Sequence, residues 1–337
     1  MLSPVYVKGI GYYVPERVMD NFELSTLVDT SDEWIRTRTG IQTRHLIAPG
    51  QTCSDLVYEA SKQALQASGT KPEEITHIIT ATTTGDAYFP STAGKAQEKL
   101  GLGHCMPFDI SAACSGFVYG IKIAQGLIAA DPGAKVLLTA SEILSNRMNW
   151  QDRGTCVLFG DGAGAAVLSA APTPPSTGAA LMANALIEGV MCDADGSLHE
   201  LLYCKGGGSD HPYKMGDTIG PEHFIFMQGR EVFKHAVRNM STICKALMDK
   251  LGYTIDDFDV VIPHQANLRI IQAVGERLKA SEEKVFVNVN KYGNTSAASI
   301  PIALGEAMSQ GVIRPGMRVL CATFGAGFTW GAAVLKF

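Results

Sequence analysis

Three residues of reactive type stand where the chain pattern changes. Cys114 lies in DISAACSGFVYG (109–120), among Ala112, Ala113, Ser115 and Gly116. PFDI (107–110) reads as the end of a strand. Residues 115–130 read as a helix, with Val118, Ile121, Ala124 and Ile128 near one face. Cys114 is therefore expected at a strand-to-helix turn. Unpaired N–H groups and partial positive charge there favour the thiolate, the reactive form of cysteine. Small neighbours let a substrate carbonyl approach the backbone. A cysteine in an apolar setting is also a common packing residue, so Cys114 alone decides nothing. His264 follows the apolar strand VVI (260–262) in VVIPHQANLR, and Asn294 follows Gly293 where a helical pattern begins. α/β proteins place their sites at such ends. Each residue also has an ordinary reading, His264 as a satisfied core histidine and Asn294 as a helix cap.

The elements that must position these residues repeat. ALQASGTKPEEITHII (64–79) and ALMDKLGYTIDDFDVVI (246–262) share one order: a helix end, a glycine, an acidic turn and a strand. FGDGAGAAVL closes at Leu168 and FGAGFTWGAAVL at Leu335, each a glycine-rich turn before a hydrophobic strand. Two related halves explain both echoes. The boundary is expected at APTPPSTG (171–178), where Pro172, Pro174 and Pro175 forbid a helix. This gives an N-terminal half of residues 1–171 with the cysteine. The C-terminal half, 172–337, carries the histidine and asparagine. Strands such as KVLLTA (135–140) and VVI are apolar throughout and alternate with helical patterns, which predicts buried, largely parallel pairing. Residues 192–229 are rich in glycine and histidine and lack a period, so a long loop is expected there.

Composition narrows the function classes. The 337 residues are 46% hydrophobic and 18% charged, with 35 glycines, which suits a compact α/β enzyme. The net charge of −5 offers no global field for nucleic acid or anionic lipid. No secretion signal and no apolar run of membrane-spanning length are read, so a cytoplasmic location is expected. The eight cysteines include no C-x-x-C pair and imply no disulfides in a reducing cytosol. Cys192, His199, Cys204 and His211 fall in one stretch, but their spacing fits no familiar zinc module, and no metal is expected. Arg230, Lys234 and Arg238 form a basic stripe at helical spacing, with Val232, Phe233, Ala236 and Val237 expected to face inward.

DTSDEWIRTRTGI (29–41), AACSGF (112–117), DRGTCVLFGDGAGAAVL (152–168), HQANLRI (264–270), GNTSAAS (293–299) and FGAGFTWG (324–331) span nearly the whole chain in order. Together they resemble the signature stretches of β-ketoacyl-[acyl-carrier-protein] synthase III, of the thiolase-fold superfamily. The resemblance implies an α/β, five-layered αβαβα fold made by internal duplication of two mixed-sheet halves. It implies a decarboxylating Claisen condensation initiating fatty-acid synthesis, with acetyl-CoA the expected primer. Cys114 would take the acyl group. His264 and Asn294 would donate hydrogen bonds to the enolate oxygen that forms when malonyl-acyl carrier protein loses carbon dioxide. The backbone N–H groups of Cys114 and Ala326 would form a second oxyanion hole. Ala326 stands where family members often have glycine, so it must tolerate the turn's backbone angles.

Thr30, Trp34, Arg38, Arg153 and Arg230 are implied in CoA binding, with Arg230 standing where the family commonly has asparagine. Lys234, Gln265, Ala266, Asn267, Leu268 and Arg269 are implied in carrier-protein binding. Phe89 and Phe324 are implied at the acyl pocket, Phe89 reaching across a homodimer. No cofactor is implied beyond the CoA thioester, which is a substrate. A related condensing enzyme of secondary metabolism, using a medium-chain or aryl thioester, keeps the same residues. A thioesterase or acyl-loading protein would use Cys114 without needing both enolate donors.

Overall fold

A computed structural model describes residues 4–172 and 182–337. Pro174 and Pro175, on which much of the linker reading rests, lie outside the described residues. The strands are β1 (Tyr6–Tyr13), β2 (Arg17–Asp20), β3 (Thr43–Leu46), β4 (His77–Ala81), β5 (Met106–Ile110), β6 (Lys135–Glu142), β7 (Gly162–Ser169), β8 (Met182–Ala194), β9 (Leu202–Tyr203), β10 (Phe226–Met227), β11 (Val260–Pro263), β12 (Arg318–Gly325) and β13 (Thr329–Lys336). The helices are α1 (Asn21–Leu24), α2 (Asp32–Thr39), α3 (Cys53–Ser68), α4 (Thr92–Leu100), α5 (Gly116–Ala130), α6 (Gly229–Leu251), α7 (Leu268–Leu278), α8 (Val289–Tyr292) and α9 (Ser299–Ser309).

The strand order β5-β4-β6-β7-β1 is answered by β11-β12-β13-β8. β4 pairs parallel with β6, β6 antiparallel with β7, and β7 antiparallel with β1. β11, β12, β13 and β8 repeat these senses in the same sequence. An isolated parallel bridge from Val261 to Val285 stands where β5 pairs with β4 in the first half. The local echoes match as well. α3 ends on left-handed Gly69, followed by a 3-10 turn and β4; α6 ends on left-handed Gly252, followed by a 3-10 turn and β11.

The halves are hydrogen-bonded into one nine-stranded sheet through the antiparallel β1–β8 pair, whose register shifts between Val7 and Gly9. α3 and α4 cover strands of the first half, and α6 and α7 cover strands of the second. α5 touches β4 and β6 as well as β8 and β13, while α9 touches β1, β7 and β11. The sheet therefore folds around α5 and α9, giving the five layers αβαβα. The mid-layer position explains the composition of α5. The window Ala113–Ala130 is long and apolar enough by composition to cross a membrane, though Lys122 and Gln125 interrupt its apolar run. It is apolar because two sheet faces press on it.

Residues 192–229 carry short regular elements within the expected loop. β8 extends through Ala194, a 3-10 turn spans Gly196–Leu201, and β9 and β10 pair as a short ribbon with Tyr203 stacked on Phe226. Cys192, His199, Cys204 and His211 are not gathered into one cluster. Cys192 faces the Val118 carbonyl, His199 meets Glu200, and the Cys204 thiol bonds the His223 carbonyl.

Candidate active site

Cys114 occupies a 3-10 turn, Ala113–Ser115, between β5 and α5, as the spacing predicts. The end of β12 presses against this turn. A Cβ on Gly325 would lie 2.6 Å from the Cys114 nitrogen, so the residue there must be glycine. His264 directly follows β11, and its backbone N–H bonds the Ala322 carbonyl of β12. Asn294 is held by its own backbone: its N–H bonds Leu158 O, and its carbonyl accepts from Gly160 N–H. The three side chains come from separate elements and line one cavity of about 470 Å³.

The surroundings fix what each group can do. His264 is buried, and burial depresses its imidazole pKa to about 3, so the ring is neutral at ordinary pH. Its Nδ1 lies 2.6 Å from the Ser299 hydroxyl, which also accepts from the Gln265 N–H at 3.4 Å. A hydroxyl that accepts from Gln265 is free to donate to Nδ1. With Ser299 donating to Nδ1, the ring proton stands on Nε2. The Asn294 Oδ1 accepts from Ser296 N–H at 2.8 Å, which identifies Nδ2 as the end that remains a donor. The capping reading of Asn294 is thus half right. Its oxygen does serve a local turn, but α9 begins only at Ser299.

Burial pushes the Cys114 thiol up to about 12; the Ser296 hydroxyl bond lowers it and the nearby Glu142 charge raises it. The helix N-terminus does not by itself leave a thiolate here. Ala113 and Ser296, which flank the site, have φ of 43° and 50°, backbone strain of a kind that gathers at functional sites.

A second cavity of about 370 Å³ also reaches Cys114. Cys114, Phe159 and Leu202 line both cavities. Thr83, Thr84, Ser111 and Arg147 make part of the second lining polar, and Ala326 also faces it. The left-handed demand of the FGAGF turn falls on Gly327, with φ 135°, and Ala326 is not among the positive-φ residues.

Trp34, Arg38, Arg153 and Arg230 line the first cavity. The guanidinium carbons of Arg38 and Arg153 lie 4.7 and 4.9 Å from the Trp34 ring centroid. A base between Trp34 and Arg153 needs about 7 Å, two van der Waals contacts, so the arginine must swing away to admit one. Thr30 does not line the cavity, but its hydroxyl oxygen is buried without a hydrogen-bond partner.

Among the residues implied in carrier binding, Ala266, Asn267 and Arg269 line the first cavity, while Lys234 stands outside it with its side chain 69% exposed. Gln265 is a correction. Its side chain is buried, donating to Pro263 O and Phe286 O and accepting from Asn288 and Val289 N–H, so it braces the interior. Leu268 packs beside Ile35 and Ile271 in a core cluster. Phe324 is buried and lines the first cavity, not the second. Phe89 is 86% exposed and touches neither. Phe233 is a further correction: it is partly exposed at the first cavity, not turned inward. Ser299, Ser296 and Glu142 are site residues that sequence pattern does not single out. GNTSAAS contains both serines, but nothing local says what they touch.

Residues 108–186 match the family described as 3-oxoacyl-[acyl-carrier-protein (ACP)] synthase III, and residues 248–337 match its C-terminal family. The chain is 55% identical over 337 residues, all of both chains, to the β-ketoacyl-[acyl-carrier-protein] synthase III of Nitratidesulfovibrio vulgaris strain DP4. The solved 3-oxoacyl-[acyl-carrier-protein] synthase III of Aquifex aeolicus VF5 superposes with a TM-score of 0.88 at 43% identity, covering 99% of this chain and 100% of that one. A priming β-ketosynthase of the R1128 polyketide pathway superposes at 0.87 with 32% identity, covering 99% and 97%. With the cysteine, histidine and asparagine gathered in one cavity of a five-layered fold, these full-length likenesses show that the chain belongs to the β-ketoacyl-[acyl-carrier-protein] synthase III family of condensing enzymes.

Proposed function

We propose that this enzyme condenses acetyl-CoA with malonyl-acyl carrier protein, and that Cys114, His264 and Asn294 carry the chemistry. Cys114 attacks the CoA thioester and retains the acyl group; CoA leaves. Malonyl-carrier protein then enters by the first cavity. Its thioester oxygen takes up negative charge as carbon dioxide departs. His264 Nε2–H and Asn294 Nδ2–H stabilise that oxygen, and preorganised donors of this kind act strongly in a dry site. The enolate carbon attacks the acyl-Cys114 carbonyl, whose oxygen is met by the N–H groups of Cys114 and Ala326. A 3-oxoacyl carrier protein leaves, and the cysteine is restored. No general base is needed for the carbanion, because decarboxylation makes it.

The observation that carries this reading is the position of Cys114 between two cavities, with both enolate donors on one side only. The first cavity suits the pantetheine arm and the malonyl unit. The second suits the acyl group. Its lining mixes polar Thr83, Thr84 and Arg147 with apolar Leu144, Phe159 and Ile225, which admits a short acyl group. Trp34, Arg38, Arg153 and Thr30 are assigned to the nucleotide of CoA. Arg230 at the cavity mouth suits the CoA phosphates. Lys234 and Arg269 offer cations to an acidic carrier protein. Phe89, exposed beside the equally open Tyr88, is assigned to a homodimer contact that closes the partner's second cavity.

Intact-protein mass spectrometry tests the reading, using acetyl-, branched-, octanoyl- and aryl-CoA with and without malonyl-carrier protein. An acetyl adduct on Cys114, discharged only by malonyl-carrier protein, is expected. Preferential loading of octanoyl or aryl groups would move the assignment to a specialised priming enzyme. Discharge as free acid without malonyl-carrier protein would make it a thioesterase.

A further inference from the structure

Glu142, the last residue of β6, is fully buried, and no cation pairs with it among the described residues. Neutral donors surround it. Its carboxylate accepts from Thr83 N–H at 3.2 Å, Thr83 Oγ1 at 3.1 Å, Thr84 Oγ1 at 2.6 Å and Ser296 Oγ at 3.1 Å. Burial raises its pKa while these hydrogen bonds lower it; the net shift is upward, which makes it a better proton acceptor. The Ser296 hydroxyl also lowers the Cys114 thiol's pKa, against the larger upward push of burial. The turns Ala113–Ser115 and Ser296–Ala298 pack together, and Thr83, Thr84, Ser296 and Cys114 share the second cavity. Ser296 is therefore the group that the thiol's cavity and the buried carboxylate share.

The condensing reaction leaves the thiol proton without an obvious holder. Cys114 must lose its proton to attack and must regain one when the thiolate is expelled. His264 is poorly placed for this, since its Nδ1 is engaged by Ser299 and its Nε2 serves as a donor in the proposed reaction. We propose that Glu142 holds the Cys114 proton, taking it through the Ser296 hydroxyl during attack and returning it by the same route after condensation. In the first step the S–H proton passes to Ser296 Oγ, and the Ser296 proton passes to Glu142. The Cys114 sulfur then bonds the acyl carbon, the carbon–sulfur bond to CoA breaks, and the CoA thiolate takes a proton from solvent. After the new carbon–carbon bond forms, Cys114 leaves as thiolate, and Glu142 returns its proton through Ser296. Glu142 is a positioning residue in this scheme, acting through Ser296.

This inference rests on Cys114 being the nucleophile, so the test separates the two ideas. Alkylation of Cys114 by iodoacetamide reads the thiol's proton loss without any substrate, whereas loading by acetyl-CoA reads the proposed function. Both rates are measured for the full-length wild type, Glu142→Gln and Ser296→Ala, near neutral pH and in alkali. Cys53 of α3 also feels the Glu142 charge, and Cys53→Ala is used as background so that only one of these thiols reports. Loss of a general base predicts both variants slower by about tenfold or more near neutrality, with the deficit shrinking in alkali, where hydroxide takes the proton. Glu142→Asp should recover part of the rate. A deficit equal at both pH values, or none, would overturn the relay. If Glu142→Gln does not fold, Ser296→Ala decides alone, because it keeps the carboxylate. Normal alkylation profiles with no acetyl loading in the wild type would instead count against the proposed function.

Discussion

The Ser299 hydroxyl lies 2.6 Å from His264 Nδ1, at the start of α9, and engages the ring nitrogen opposite the one proposed as the enolate donor. Ser299→Ala removes the partner and frees the tautomer. A lost hydrogen bond of this kind is worth about 1 kcal/mol, so malonyl decarboxylation should fall roughly fivefold. Acetyl loading of Cys114 should be unchanged. His264→Ala should lose far more decarboxylation, about a hundredfold or more, again with loading retained. Release of carbon dioxide and adduct mass measured on the same samples would check both.

His264 also sets an acid limit on stability. Its folded pKa of about 3 lies below the usual value of 6.5. Between those values the unfolded chain binds a proton that the folded chain refuses. Stability from this group is therefore intact above about pH 6.5 and is lost progressively as pH falls toward 3. Thermal melts from neutral to mildly acidic pH should show a shallower decline for His264→Asn than for the wild type. An equal decline would show that other groups dominate.

Asn294→Asp separates the two ends of one side chain. The acceptor for Ser296 N–H survives, so folding should be close to normal. The donor aimed at the enolate is replaced by an oxygen, which repels it. Decarboxylation should fall at least as far as for loss of one preorganised donor, about a hundredfold to a thousandfold. Loading rates and melting temperature should stay near wild type. A large fall in melting temperature would show that the amide group is needed for packing.

Trp34→Ala should raise the KM for acetyl-CoA while leaving the KM for acetyl-pantetheine, which lacks the nucleotide, nearly unchanged. Aromatic and guanidinium contacts with a base are worth about 1–2 kcal/mol, so a rise of roughly fivefold to thirtyfold is expected. Lys234→Glu should do the reverse. It stands outside the cavity and should raise the KM for malonyl-carrier protein, not for acetyl-CoA, by an amount that shrinks in high salt. Equal effects on both substrates would remove Lys234 from the docking surface.

Much of the fold and part of the site are legible in the amino-acid sequence. Gly69 and Gly252 punctuate equivalent helix ends, and the strands they precede are equivalent in the sheet. The strand-to-helix turn at Cys114 follows from local pattern, because backbone propensity acts over a few residues. Gln265 shows where that reasoning stops. It sits between two cavity residues, His264 and Ala266, yet its side chain turns inward to satisfy four backbone groups. Phe233 fails in the opposite direction, since helical spacing alone does not mark the edge of the buried face.

Local sequence specifies the reactive residue types, the duplicated order of elements and the ends at which those residues stand, because these depend on neighbours along the chain. Tertiary packing sets which groups share a cavity, which nitrogen of His264 meets Ser299, and that burial raises the Cys114 thiol's pKa. Those properties depend on desolvation and on contacts between distant segments. Ser296 meets Glu142 across 154 positions, and no local spacing encodes such a bond.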